Sequence, residues 1–219
     1  GIEVTVPAGT SVMRAAQEAG IRKFVVVTGF QAEKLRAAIE NQPAITASVT
    51  WVHNPEFKTR SNGTSALAAE KAVDGPFVLL MADHIFEVAT LRRLLRTPVG
   101  LNEVILAIDR KIDRVFDLDD ATKVVDDNGR LRAIGKQLPD FNAIDTGMFL
   151  CTPELFDALR AVRDESDGSL SDAIRRIAAE DRMRTFDIGD ALWQDVDTPE
   201  MRREAERRLG DALRKPTDG

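Results

Sequence analysis

Residues 23–30 read KFVVVTGF, 76–83 read PFVLLMAD and 103–109 read EVILAID. Each is a short, β-branched or uniformly apolar run that ends on a glycine or an acid, the pattern of a strand buried on both faces. Helical patterns lie between them. The segment 31–41, QAEKLRAAIEN, puts Leu35, Ala38 and Ile39 on one face and meets Pro43 just beyond its end. A strand over Val49 to Val52, a loop HNPEFKTRSNG and a helix TSALAAEKAV capped by Thr64 or Ser65 follow, and another helix spans Glu87 to Arg96. This βαβ rhythm predicts an α/β fold with a mixed, mostly parallel sheet covered by helices on both faces.

Beyond residue 110 the period changes to two. TKVVDDNGRLRAIGK alternates around Asn128-Gly129, a strong short hairpin signal, so a β-hairpin is inserted in the α/β frame. Thr152-Pro153-Glu154 and Thr198-Pro199-Glu200 each place a cap, a proline and a first-turn acid ahead of a helix. The expected organisation is an atypical strand and helix over residues 1–21, one domain over 22–210 and a frayed tail over 211–219.

Composition removes several classes of function. Of 219 residues, 36 are acidic and 30 basic, giving a formal charge of -6, which disfavours a phosphate-coated polymer as partner. No run approaches a membrane span and the N-terminus lacks a secretory pattern, so the expectation is a soluble, cytoplasmic protein. One cysteine, Cys151, excludes an internal disulfide framework, and with only two histidines zinc has few ligands. Cys151 lies in GMFLC and reads as core. Oxygen ligands holding Mg²⁺ or Ca²⁺ remain open, as does no metal.

Ligands of open parallel sheets collect at the carboxyl ends of strands, which singles out Asp83. It reads either as a turn aspartate or as a solvated metal ligand. In Trp193-Gln194-Asp195-Val196-Asp197-Thr198, alternation can place Asp195 and Asp197 on one side of an extended segment. Helix capping explains Thr198 and Asp197 but does not require Asp195. Two strand-end carboxylates would suit an octahedral Mg²⁺ that takes its other ligands from water and a nucleotide's phosphates. The stretch Asn62-Gly63-Thr64-Ser65 reads either as a glycine turn with a cap or as a close approach to a ligand. His84 reads as a structural hydrogen-bonder or a phosphate donor, and Lys136 as a solvated lysine or an anion contact.

Taken together, AGIRKFVVVTGFQAEKL, NPEFKTRSNGTSALAAEKAV, FVLLMADHIF, IGKQLPDFNAIDTGMFL and WQDVDTPE make the chain from Ile21 onward resemble the sugar-phosphate nucleotidyltransferases, most closely the inositol-1-phosphate cytidylyltransferase branch. The resemblance implies a Rossmann-like, GT-A-like nucleotidyltransferase sheet. It also implies transfer of a cytidylyl group from CTP to a sugar or polyol phosphate such as inositol 1-phosphate, with release of pyrophosphate. Carried over by residue, Asp83, Asp195 and Asp197 fall at the metal positions, and Asp83 and Lys136 at catalytic ones. Asn62, Gly63, Thr64, Ser65 and Ala82 fall at nucleotide contacts, and His84, Lys136, Asp145 and Gly147 at acceptor contacts. Mg²⁺ is the implied cofactor. A membrane-embedded CDP-alcohol phosphotransferase is an implied functional link.

Residues 1–21 depart from the family. The glycine-rich loop that wraps the triphosphate is absent from them, and IEVTVPAGTSVMRAAQEAGI resembles the opening strand and helix of a plant-type ferredoxin domain. The cluster cysteines are missing, which excludes an iron-sulfur centre. The alternative reading is therefore a nucleotide- or sugar-phosphate-binding remnant that has lost turnover.

Overall fold

A computed structural model describes residues 12–214 of the chain, with side chains as far as 208. Residues 1–11 of the atypical N-terminal segment, and 215–219 of the tail, lie outside the described residues. In chain order the elements are α1 (Val12–Glu18), β1 (Lys23–Thr28), α2 (Ala32–Glu40), β2 (Ser48–His53), α3 (Asn62–Ala68), β3 (Phe77–Leu80), β4 (His84–Phe86), α4 (Val88–Leu95) and β5 (Val104–Asp109). They continue with β6 (Lys123–Asp127), β7 (Arg130–Gly135), β8 (Ala143–Cys151), α5 (Glu154–Glu165), α6 (Leu170–Ala179), β9 (Met183–Asp187), β10 (Trp193–Asp195) and α7 (Pro199–Arg214).

Strand β5 sits inside a six-stranded sheet of order β3-β8-β5-β9-β7-β6, and its uniform apolarity follows from that position. All six of its residues are buried. Val104, Leu106 and Ile108 face one core, which holds Phe149 and α5 and α6 residues such as Leu155, Leu159, Ile174 and Ile177. Ile105 and Ala107 face the other, with Ala16 of α1 and Leu91 and Leu94 of α4. Two covered faces leave no solvent side for a polar residue.

The sheet is mixed, but antiparallel pairings outnumber parallel ones. β1–β2 and β5–β9 are parallel; β8, inserted between β3 and β5, runs against both of them. The reason is long-range. After the β6–β7 hairpin the chain re-enters the sheet as β8, and alternation within single segments carries no record of that return.

β1 and β3 differ from β5. Among the described residues β1 pairs only with β2 and β3 only with β8. Phe24, Val25, Val26 and Val27, and all four residues of β3, are half-buried rather than buried. The expectation that these runs are strands closed on both faces is therefore corrected: their apolar side chains are half-buried. α2 shares the looseness, with no buried residue and Leu35 exposed.

Other local expectations fare unevenly. Asn128 (φ 53°) and Gly129 (φ 84°) both take the left-handed conformation that a two-residue hairpin turn requires. Thr198 caps α7 by accepting from the Met201 amide at 3.2 Å. Thr152 does not cap α5, because its hydroxyl donates to the Glu103 carbonyl at 3.0 Å and so ties β8 to the start of β5. α3 begins at Asn62, ahead of the expected Thr64 or Ser65 cap, with Ser61 at the N-cap.

Candidate active site

The carboxyl ends of β3, β5 and β9 lie on one side of the sheet, since all three strands run the same way. Asp83 stands just beyond β3, in the turn that leads to β4. β4 then pairs antiparallel with β10, opposing His84 to Asp195. The Val196 amide donates to the Asp83 carbonyl at 2.8 Å, so one backbone hydrogen bond ties the two expected metal positions together. The Asp83 side chain stays 55% exposed, solvated as a strand-end carboxylate should be.

A bulge supplies the floor. Between the pairs Leu106–Phe149 and Ile108–Asp145 the β5–β8 register shifts, and Gly147 takes φ 68°. Bulges of this kind re-aim side chains at the ends of sheets. Here the Gly147 carbonyl accepts from the Met81 amide at 3.0 Å, and the Gly147 amide donates to Asp145 Oδ1 at 2.7 Å. The His84 ring packs over Gly147: a Cβ there would lie 2.2 Å from His84 Nδ1. His84 Nδ1 is 2.7 Å from the Thr146 carbonyl and 3.3 Å from Trp193 Nε1. A carbonyl needs a donor, so Nδ1 carries the proton and the indole N–H is left with a ring contact, edge-on at 5.5 Å between centroids. Nε2 then faces Asp83 Oδ1 at 3.6 Å.

Three carboxyls feel this arrangement. Burial pushes Asp145 up from the ordinary 3.8 to about 6, against the Gly147 amide and His84, which favour its charged form. Burial also raises Asp195; His84 opposes the rise, while Asp197 and Asp83 add to it by like-charge repulsion. A cation between Asp83 and Asp195 would relieve that repulsion, so these two residues fit a hard divalent ion. Asp197 is exposed and its amide lies 3.4 Å from Met201 Sδ. Among the described residues no group of three or more His, Cys, Asp or Glu side chains is arranged to hold a metal.

The Asp145 shift gives a measurable sign. An unfolded aspartate loses its proton near pH 4, whereas the native group keeps it to about pH 6. The native state therefore binds more protons across that window and loses stability as the pH rises through it. Asp145→Asn keeps an acceptor for the Gly147 amide without the charge. In buffer free of divalent ions, its melting temperature relative to the unsubstituted protein is expected to rise between pH 4 and 7. A pH-independent difference would remove the assignment.

The other expected site residues have mixed placements. Ala82 lies in the Asp83 turn. Gly63 is buried against the 168–170 turn, where a Cβ would meet the Gly168 carbonyl at 2.4 Å. Asn62 Oδ1 accepts from the Leu170 amide at 3.0 Å, and Ser65 Oγ accepts from Asn54 Nδ2 at 2.9 Å. Thr64 is buried, and its Oγ1 has no hydrogen-bond partner among the described residues. Lys136 pairs with Asp120 at 2.6 Å, both side chains being exposed. Cys151 is fully buried in β8, and burial holds its thiol in the neutral form.

Sequence reasoning missed the anchoring role of Trp193, and it missed Lys123, whose Nζ donates to the Leu118 carbonyl at 2.8 Å and the Lys136 carbonyl at 3.0 Å. It also missed a cavity of about 460 Å³ beside Asp195, lined by the loops after β5 and β9. The strand-end rule that found Asp83 applies equally to Asp109-Arg110-Lys111 after EVILAID.

A mixed sheet wrapped by helices, with paired carboxylates at its carboxyl edge, defines a nucleotidyltransferase-type α/β fold. The fold of this chain is that of solved nucleotidyltransferases, and its sequence is similar to those of bifunctional IPC transferases and DIPP synthases. It is 33% identical over 90% of its length to a bifunctional IPC transferase and DIPP synthase of Thermococcus kodakarensis, covering 43% of that protein. It is 34% identical over 81% of its length to the protein of the same name from Rubrobacter xylanophilus, covering 39% of it. The chain thus spans less than half of these relatives. Among solved structures, the inositol-1-phosphate CTP transferase from T. maritima superposes with a TM-score of 0.79 at 22% identity, over 94% of this chain and 83% of the other. A UDP-glucose pyrophosphorylase superposes at 0.74 with 16% identity, over 92% and 85%. No protein-family profile matches the chain.

Proposed function

We propose that the chain is a cytidylyltransferase domain that joins CTP to a polyol phosphate, with inositol 1-phosphate as the acceptor, and releases pyrophosphate. The observation that carries the reading is the convergence of Asp83 and Asp195 from distant segments onto one hydrogen-bonded β4–β10 edge. An acceptor phosphate oxygen attacks the α-phosphorus of CTP. The bond from that phosphorus to the bridging oxygen breaks, and the pyrophosphate takes the electron pair. Asp83 and Asp195 would hold Mg²⁺, which would offset charge on the phosphate oxygens. The chain's own part is positioning. The Val196–Asp83 backbone bond fixes the spacing of the two carboxylates. His84, pinned by the Thr146 carbonyl, buttresses Asp83 from one side. Asn62, Gly63, Thr64, Ser65 and Ala82 are assigned to the nucleotide, and Lys136, Asp145 and Gly147 to the acceptor side.

The shared fold of the T. maritima inositol-1-phosphate CTP transferase supports inositol phosphate and CTP as substrates, and the DIPP synthase activity of the bifunctional relatives supports a downstream phosphotransferase that consumes the CDP-alcohol. We assign the domain itself to the cytoplasm. No helix among the described residues is long and apolar enough to cross a membrane.

One observation favours a second reading. Asn62 and Gly63, assigned to the nucleotide, are engaged with the 168–170 turn, which suits a domain that binds a nucleotide or sugar phosphate without turning over. Incubation with CTP, MgCl₂ and inositol 1-phosphate separates the two. Pyrophosphate release is expected. A thermal shift with CTP but no release would favour the binding remnant, and neither signal would overturn the nucleotide assignment.

A further inference from the structure

The strand that carries Asp195 lies outside the six-stranded sheet. β4 and β10, three residues each, form a separate two-stranded ribbon, and such a ribbon is marginal by itself. It must therefore be held from its ends. Beyond β10, Gln194 Nε2 donates to the Met201 carbonyl of α7 at 2.8 Å. Ahead of β10, the chain leaves β5 at Ile188, whose amide donates to the Ile108 carbonyl at 3.0 Å, and residues 189–192 carry it across to Trp193. At the far end of that crossing Glu87 Oε1 accepts from the Leu192 amide at 2.8 Å.

Lys111 holds the near end. Its Nζ donates to Asp109 Oδ1 at 2.7 Å and to the Gly189 carbonyl, and Asp109 Oδ1 also accepts from the Lys111 amide at 2.8 Å. Asp109 is buried, so its carboxylate needs the ammonium as a partner. That pairing does not require Gly189. The second bond reaches a turn in which Gly189 takes φ 64° and its amide donates to Asp187 Oδ1 at 2.7 Å, so it fixes the direction in which the chain sets out toward β10. Arg93 donates to the Asp187 and Ile188 carbonyls at 3.3 and 3.2 Å, but both of these stand before the crossing begins.

We propose that Lys111 is a positioning residue for Asp195. By tying the end of β5 to Gly189 it sets where β10 meets β4, and so where the Asp195 carboxylate stands relative to Asp83. The proposal rests on the metal assignment made above and adds what holds one of its two carboxylates in place. Side chains that orient a metal ligand without touching the ion act through geometry, and their loss weakens metal binding.

Lys111→Met leaves the Asp109 carboxylate buried without its cation and should lower the melting temperature. The double variant Asp109→Asn/Lys111→Met removes that charge, keeps an acceptor for the backbone amide at position 111 and should recover most of the loss, while Gly189 still lacks its donor. Two measurements compare the double variant with the unsubstituted chain. The first is Mn²⁺ binding, read from the free-ion electron paramagnetic resonance signal and counted only where Asp195→Asn abolishes it; it is expected to weaken about tenfold. The second, in metal-free buffer, is hydrogen exchange of the Val196 amide, which bonds the Asp83 carbonyl, against that of the Leu106 amide in the core. Val196 exchange is expected to quicken about tenfold relative to Leu106, a local opening of the ribbon. Unchanged Mn²⁺ binding, or an exchange rate that rises equally at both amides or at neither, would overturn the proposal and leave the metal assignment intact. If the unsubstituted chain shows no Mn²⁺ binding that depends on Asp195, the metal assignment fails instead. Exchange alone then decides: faster exchange confined to Val196 supports positioning by Lys111, and any other pattern overturns it.

Discussion

Asp83→Asn is expected to lower pyrophosphate release by about 10³-fold or more, with little loss of stability. The substitution keeps the shape of the side chain and removes its charge. Asp83 is 55% exposed and its backbone carbonyl, not its carboxylate, accepts the bond from Val196, so the β4–β10 edge should survive. What is lost is half of a two-carboxylate site for a hard cation, where a neutral amide is a much poorer ligand. Asp195→Asn should behave alike. Asp197→Asn should cost far less, because that side chain is exposed and lies outside the β4–β10 pairing. Steady-state release of pyrophosphate at several Mg²⁺ concentrations checks all three. Full activity of Asp83→Asn at low Mg²⁺ would sink the metal assignment.

The second large effect is expected at Gly147. Its φ of 68° costs a residue with a side chain about 1–2 kcal/mol. An added methyl would also lie 2.2 Å from His84 Nδ1 and 2.7 Å from Met81 Cγ, forcing the imidazole off the Thr146 carbonyl. That adds about 1 kcal/mol or more for the broken hydrogen bond. Gly147→Ala should therefore destabilise the protein by about 3 kcal/mol, read as a lower urea midpoint. Its catalytic cost should exceed its stability cost, since His84 packs beside Asp83. A double-mutant cycle isolates the clash: His84→Ala should recover part of the loss, because the methyl then has room. Strictly additive effects would show that Gly147 is needed for its backbone angle alone.

How much of this was legible beforehand depends on the range of the interaction. The β6–β7 hairpin was readable because Asn128-Gly129 satisfies a two-residue turn by itself. α6 carried the same kind of signal and went unread: Leu170, Ala173, Ile174 and Ile177 follow helical spacing and are all buried, and Ser169 accepts from the Asp172 amide at 3.1 Å as an N-cap. β9 had a weaker signal. In MRTFD only the methionine is buried, while Arg184, Thr185 and Phe186 are all half-buried, so no clean alternation results.

The sequence by itself determined the α/β class, the hairpin, the position of Asp83 at a strand end and the presence of a second acidic segment before α7. These depend on apolar period, turn chemistry and capping, all settled within about ten residues. Which acidic segments come together was left to the tertiary structure, where the β4–β10 ladder sets Asp195 opposite His84 and the Val196 amide on the Asp83 carbonyl. The tertiary structure also decided that β8 runs between β3 and β5, that Gly147 bulges under His84, and that β1 and β3 are half-buried despite reading like the fully buried β5. Burial and pairing are properties of neighbours, and an apolar run specifies a wish to be covered without naming what covers it.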